Sequence, residues 1–153
     1  MILGVDTDVL IAWAMEGTPR HTLARRLFEE QIRDRGGALG LTPQVVHEFL
    51  HIVTDPRRFE RPLSMDEAIR TAWELWEARE VTRILPSPDV LPRTLDLMAT
   101  LGLGRKRILD TALAATLELA GVQRLATFNP GDFAIFPFLE IVSTPVNSGP
   151  RLV

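Results

Sequence analysis

Short apolar runs recur along this 153-residue chain at Ile2–Val5, Ala38–Leu41, 81–85, 125–128 and 139–142, and helix-length segments separate most of them. A strand without a polar face must be covered on both sides, which is the condition of a strand inside a parallel sheet. Parallel neighbours need crossovers, and the helical segments supply them. The pattern therefore predicts a Rossmann-like α/β sandwich of three layers, with a central parallel sheet of about four to five strands flanked by helices. Nothing marks an internal boundary, so residues 1–144 read as one domain and 145–153 as a loose or docked tail.

The helices announce their own ends. Asp8 is placed to cap a short helix over 9–15, and Thr18-Pro19 opens a second, with Leu23, Leu27 and Ile32 on one stripe. Arg35-Gly36-Gly37 breaks it. Thr42 is a good N-cap, with Pro43 at the first helical position of a helix over 44–54. Ser64 and Glu67 form a capping box, and Ile69, Trp73 and Trp76 are expected to mark the buried face of the helix that follows. Amphipathic helix returns over 88–101. Residues 108–120 are apolar nearly all round and closed by Gly121, as a central helix would be.

Composition narrows the setting. Hydrophobic residues make up 46% and charged residues 24%, ordinary values for a globular protein. No run approaches the roughly 20 apolar residues that cross a bilayer, and the first residues have no basic leader. The absence of cysteine excludes disulfides and thiolate metal sites. A cytoplasmic protein with no membrane association is the expectation. A net charge of −3 argues against coating nucleic acid by charge alone. Basic residues nonetheless cluster at Arg20/Arg25/Arg26, Arg57/Arg58/Arg61 and Arg105-Lys106-Arg107.

Four carboxylates stand in apolar surroundings. Asp110 lies in the first turn of the most apolar helix, and Glu48 lies among Val45, Val46, Phe49 and Leu50. Asp6 ends the first strand, and Asp132 follows the 125–128 strand within Thr127-Phe128-Asn129-Pro130-Gly131-Asp132-Phe133. Both sit at the carboxyl edge of the sheet, where open α/β folds bind ligands. Each has a plain structural explanation as well: a helix-dipole charge for Asp110, a cap for Asp6, turn chemistry for Asp132. Gathered together, four acids repel one another unless a cation lies among them. Oxygen donors without His or Cys suit Mg²⁺ or Mn²⁺, ions that assist phosphoryl chemistry.

These segments, in this order, resemble the PIN-domain nucleases, and most closely the VapC-type toxins of bacterial toxin–antitoxin pairs. The likeness runs from Asp6-Thr7-Asp8-Val9-Leu10 through Val45-Val46-His47-Glu48-Phe49-Leu50 and Thr54-Asp55-Pro56-Arg57-Arg58-Phe59. It continues through Asp110-Thr111-Ala112-Leu113-Ala114-Ala115 to Thr127-Phe128-Asn129-Pro130-Gly131-Asp132-Phe133. It implies a PIN-like fold, Mg²⁺ or Mn²⁺ dependence, and endonucleolytic hydrolysis of RNA leaving 5′-phosphate and 3′-hydroxyl ends. Asp6 and Asp110 would be the principal metal ligands, with Glu48 and Asp132 completing the set directly or through water. Thr7 and Asn129 would be supporting polar groups. A small cognate antitoxin and a homodimer are implied as partners, with the Trp73/Trp76 helix a candidate contributor to the dimer. The chain departs from the family in carrying Asp8 where Asn or Ser is usual. Asn129 also stands where some relatives carry the fourth acid, so that role falls to Asp132. Arg105, Lys106 and Arg107 are candidates for holding flanking phosphates.

Two other enzymes fit fragments of the sequence. His47-Glu48-Phe49-Leu50-His51 is a literal zinc-peptidase motif, but His21 is the only remaining histidine to serve as third imidazole ligand. Asp6-Thr7-Asp8-Val9-Leu10 also resembles the nucleophile loop of haloacid-dehalogenase-type phosphatases. That reading needs Lys106 at the site and leaves Glu48 idle. A PIN-like fold used only for binding would predict gaps in the acidic set, and every position is filled.

Overall fold

The computed structural model describes residues 1–144, so the 145–153 tail lies outside the described residues. The order is β1 (Ile2–Val5), α1 (Thr7–Ala14), α2 (His21–Glu29), β2 (Ala38–Leu41), α3 (Pro43–Val53), α4 (Met65–Glu77) and β3 (Val81–Arg83). The second half adds α5 (Val90–Leu101), α6 (Ile108–Leu119), β4 (Arg124–Ala126), α7 (Pro130–Phe133) and β5 (Glu140–Val142). A π-helical stretch, Glu30–Asp34, extends α2, and a 3₁₀ turn, Arg105–Arg107, leads into α6.

The five strands form one parallel sheet in the order β3-β2-β1-β4-β5. From β1 the chain builds outward to β2 and β3, then returns to the other side for β4 and β5. The switch therefore falls between β1 and β4, where the crevice of an open α/β sheet opens at the carboxyl edge. At the centre, Gly4 lies opposite Gly40 on one side and Leu125 on the other. A Cβ on Gly4 would stand 3.0 Å from Leu117 Cδ2, so the missing side chain lets α6 lie close on the sheet. The N-terminus of α6 reaches the carboxyl edge and brings Asp110 with it.

Most caps form as the sequence predicts. The Thr42 hydroxyl accepts from Val45 N at 3.3 Å, and the Ser64 hydroxyl accepts from Glu67 N at 3.1 Å. Gly102 and Gly121 end α5 and α6 in left-handed conformations, φ +62° and +73°.

Two expectations are corrected. Asp6, not Asp8, caps α1: its carboxylate accepts from Thr7 N at 2.8 Å. Asp8 has donors across the fold instead, in the loop after β4, and α1 starts two residues sooner than expected. On α4 the buried face is Ala68, Ala72 and Leu75. Small alanines let the helix approach its neighbours, which turns Ile69 and Trp73 outward, 42% and 59% exposed, and leaves Trp76 half-buried.

Sequence reasoning also passed over a buried polar group. Arg124, in β4, is 7% exposed, and its Nη1 donates to Gln31 Oε1 at 3.2 Å. Gln31 Nε2 in turn donates to the carbonyls of Met1 (2.9 Å) and Ala38 (3.1 Å), so each end of the amide is used.

Candidate active site

Asp6 leaves the end of β1 with its backbone N–H donating to Ala126 O at 3.0 Å, which places it against the end of β4. Oδ1 caps α1, while Oδ2 accepts from Thr127 Oγ1 at 2.8 Å. Thr127 is fully buried and follows β4 directly, so both flanks of the switch point grip this one carboxylate. Despite these donors, burial pushes the Asp6 carboxyl up to about 7, reinforced by Asp8 and, more weakly, by Glu48.

Glu48 enters from α3. Its Oε2 accepts from Thr7 Oγ1 at 3.0 Å and its Oε1 from Gln44 Nε2 at 3.1 Å. Gln44 also donates to Leu109 O at 2.9 Å, tying α3 to the first turn of α6. Asp110, in that turn, is raised to about 6 by burial first, then by Asp6 and Asp132; Arg107 opposes them and Glu48 adds a smaller push. Arg107 Nε stands 3.8 Å from Asp110 Oδ2, and its guanidinium donates to the Asp132 carbonyl oxygen. Asp110, from the far half of the sequence, therefore feels the charges of Asp6, Asp132 and Glu48, and Asp6 feels that of Glu48.

Asp8 and Asn129 form a second layer on one side. Asp8 Oδ2 accepts from Phe128 N at 3.1 Å and Asn129 Nδ2 at 2.8 Å, whereas Asp8 Oδ1 is buried without a hydrogen-bond partner. Burial raises the Asp8 carboxyl. Asn129 thus touches Asp8, not the four central acids, and its backbone N–H donates to Thr127 Oγ1 at 3.1 Å.

Thr127 and Gln44 are the polar groups that sequence reasoning did not single out. Thr127 carried a signal, a hydroxyl immediately after a buried strand. Gln44 carried none, since a glutamine in the first turn of a helix is commonplace.

The rival constellations are not assembled. His47 and His51 are exposed on α3, while Glu48, between them in sequence, turns to Thr7. His21 is engaged elsewhere, Nδ1 lying 2.8 Å from Ala12 O. Lys106 is exposed, and Arg107 takes the place beside Asp110.

Whether the acids suit a hard cation is answered by their chemistry. Among the described residues, no three His, Asp or Glu side chains are drawn together tightly enough to enclose an ion. The donor set fits one even so: oxygens only, two carboxyls raised by burial and by neighbouring carboxylates, and an unpartnered buried oxygen on Asp8.

A parallel sheet with carboxylates at its switch point is an α/β architecture suited to ligand binding and metal-assisted phosphate chemistry at that edge. The sequence pattern of the PIN domain matches residues 4–139, and the chain belongs to that family. A curated relative, ribonuclease VapC24 of Mycobacterium tuberculosis, is 27% identical over 141 residues, covering 92% of this chain and 94% of its own. Among solved structures, the fold is similar to that of M. tuberculosis VapC20, described as a sarcin–ricin-loop-cleaving toxin. That match has a TM-score of 0.69 and 22% identity, covering 95% of this chain and 100% of the other. It is also similar to a chain of a Klebsiella pneumoniae toxin–antitoxin complex, with a TM-score of 0.62, 20% identity and coverage of 92% and 96%. A third similar chain belongs to Rickettsia felis VapBC2 bound to promoter DNA, with a TM-score of 0.63, 14% identity and coverage of 93% and 98%.

Proposed function

We propose that this protein is a divalent-metal-dependent endoribonuclease, the toxin of a VapBC-type toxin–antitoxin pair. The observation that carries this reading is that Asp110 lies within electrostatic reach of Asp6, Asp132 and Glu48, with the Asp6 and Asp110 carboxyls held well above their ordinary range. Membership of the PIN family and similarity to a ribonuclease along nearly the whole chain support it.

Asp6 and Asp110 are the proposed principal ligands of Mg²⁺ or Mn²⁺, with Glu48 and Asp132 completing the set. The cation supplies charge neutralisation at the attacked phosphate and a lowered pKa for the attacking water. The chain's own polar groups hold this set in place. Thr127 fixes one oxygen of Asp6, Thr7 and Gln44 fix both oxygens of Glu48, and Arg107 joins Asp110 to the backbone of α7. Water adds to phosphorus and the P–O3′ bond breaks, leaving a 3′-hydroxyl and a 5′-phosphate. Asn129 acts through Asp8, whose position it fixes.

The proposed partners are RNA as substrate, a small antitoxin protein, and a second copy of the chain. The antitoxin is supported by toxin–antitoxin complexes among the similar structures. The proposed location is the cytoplasm; no helix among the described residues is long and apolar enough to cross a membrane.

Labelled RNA incubated with Mn²⁺, with chelator, and with Asp6→Asn or Asp110→Asn protein tests the central claim. Cleavage by wild type that stops with chelator or either substitution is expected. Absence of metal-dependent cleavage of any cellular RNA, or equal cutting by the variants, would refute it.

A further inference from the structure

Beside the acidic cluster, and sharing Asp8 and Asn129 with it, lies an open cavity of about 570 Å³. That falls within the ~300–1,000 Å³ of small-molecule sites. Its contributors come from parts of the chain that the sequence left unconnected: the turn after α1, the end of α3 with the loop beyond it, and the loop after β4. Two members of separate basic clusters, Arg20 and Arg58, line it together with two aromatic rings, Phe59 and Phe128.

The lining is not that of a plain apolar hole. Arg20 is already committed: its guanidinium carbon lies 4.9 Å from the Phe128 ring centroid, and Nη1 donates to Phe128 O at 3.2 Å. Phe128 is thus covered by a cation, and Phe59, half-buried against the core, is the ring left to stack on. Ile52 adds an apolar wall. Arg58 is exposed, and its backbone is pinned by the N–H donating to Asp55 O at 3.1 Å. A second cavity, of about 660 Å³, continues past Phe59 and shares Arg58 with the first, adding Arg61 but also Glu16 and Glu60, so its rim is of mixed charge. In the first hollow, an aromatic ring beside an exposed arginine offers what one unpaired nucleotide needs: a face on which a base stacks and a cation for its phosphate.

We propose that this cavity receives one unpaired nucleobase of the RNA next to the scissile phosphate, stacked on Phe59 with Arg58 at the flanking phosphate. The proposal rests on the ribonuclease reading above and adds to it a base subsite on this chain's own residues, which an unpaired base enters without the cost of leaving a stack. Arg58 and Phe59 then set where the chain cuts, at a distance from the acids that set whether it cuts.

The test separates binding from cleavage. Fluorescence anisotropy of a short, random-sequence, fluorescein-labelled single-stranded RNA is measured in the Asp110→Asn background, with Phe59→Leu and Arg58→Ala added singly. Phe59→Leu keeps apolar bulk, and thermal melts confirm that each variant folds. Loss of the stack is expected to weaken binding about tenfold. Arg58→Ala is expected to weaken it less and to flatten its salt dependence. In the otherwise wild-type chain, sequencing of cut ends in ribosomal RNA with Mn²⁺ is expected to show a shifted or relaxed cut-site preference for Phe59→Leu. Unchanged affinity and unchanged cut sites in both variants would overturn the subsite while wild-type cleavage left the nuclease intact. Unchanged RNA affinity with weakened antitoxin binding would likewise overturn it, in favour of a protein-docking hollow. Wild type that binds this RNA through Phe59 but cuts nothing would count against the nuclease alone.

Discussion

Thr7 and Glu48 are 41 positions apart, yet the Thr7 hydroxyl donates to Glu48 Oε2 at 3.0 Å. This bond joins the first helix to the third and fixes which way one acid of the proposed metal set points. Removing it leaves Glu48 with Gln44 alone. Thr7→Ala is expected to lower Mn²⁺ affinity and kcat/KM about tenfold, as losses of supporting partners at metal sites do. Thr7→Ser, which keeps the hydroxyl, should restore most of it. A Mn²⁺ titration of cleavage rate, run on both variants, decides the matter. Equal loss in the serine variant would point to packing instead.

The raised carboxyls predict the pH behaviour of the metal-free fold. Asp6 is raised to about 7 and Asp110 to about 6. An acid with a raised folded pKa takes up protons more readily in the folded state than in the unfolded one. Its stabilising contribution is complete below the unfolded value of 3.8 and is lost as pH rises through 6 and 7. The melting temperature in chelator is therefore expected to fall as pH is raised from 5 to 8. Mn²⁺ should recover the loss, and recover more at pH 8 than at pH 5, because protons and metal compete for the same oxygens. Differential scanning fluorimetry at fixed ionic strength reads both.

Asp6→Asn carries the same argument into mutagenesis. Asparagine keeps one acceptor oxygen, enough to cap α1, and its amide N–H can donate to the Thr127 hydroxyl in place of the second oxygen, while the buried charge is gone. At pH 8 without metal the variant is expected to melt higher than wild type, with the gap closing at pH 5. Its cleavage rate should drop by about a hundredfold or more. A variant less stable than wild type at pH 8 would show that the donors around Asp6 fully compensate its charge.

Gln31→Ala addresses the opposite end of the sheet. It strips Arg124 of its amide partner, leaving Glu140 at 3.8 Å, and takes one donor from each of the Met1 and Ala38 carbonyls. Losing three hydrogen bonds from one buried side chain is expected to cost about 2 kcal/mol. Chemical denaturation measures this, with Mn²⁺ affinity expected to stay unchanged.

Trp73 tests the proposed homodimer. Its side chain is 59% exposed beside Ile69 on the outer face of α4. Trp73→Glu should convert a dimer to a monomer on size-exclusion chromatography with light scattering, with little change in melting temperature. A wild type that is monomeric at all concentrations, or a variant still dimeric, would remove this face from the interface.

The strands and capped helices were legible because local chemistry decides them: Thr42-Pro43 and Ser64-Glu67 start helices wherever the fold puts them. The orientation of α4 was not legible, because Ala68 and Ile69 differ by about 100° on the helix and only the neighbour decides which turns inward. The competition between Asp6 and Asp8 for the cap was settled by Phe128 N and Asn129 Nδ2, donors 120 and 121 residues away. Asp6, Glu48 and Asp110 stood out through the mismatch between their charge and their surroundings. Arg124 did not, since one arginine at a strand start reads as an exposed end.

The placement of β1 between β2 and β4 sets an order of events during synthesis. β2 is available soon after β1, but the other flank, with the Thr127 hydroxyl that holds Asp6, is among the last described segments to be made. Asp110 and Asp132 are late as well. A nascent chain can settle its first strands and helices early, yet it lacks a complete acidic cluster until residues 124–132 are free to dock. The proposed nuclease would therefore gain its full set of ligands only near the end of its own synthesis.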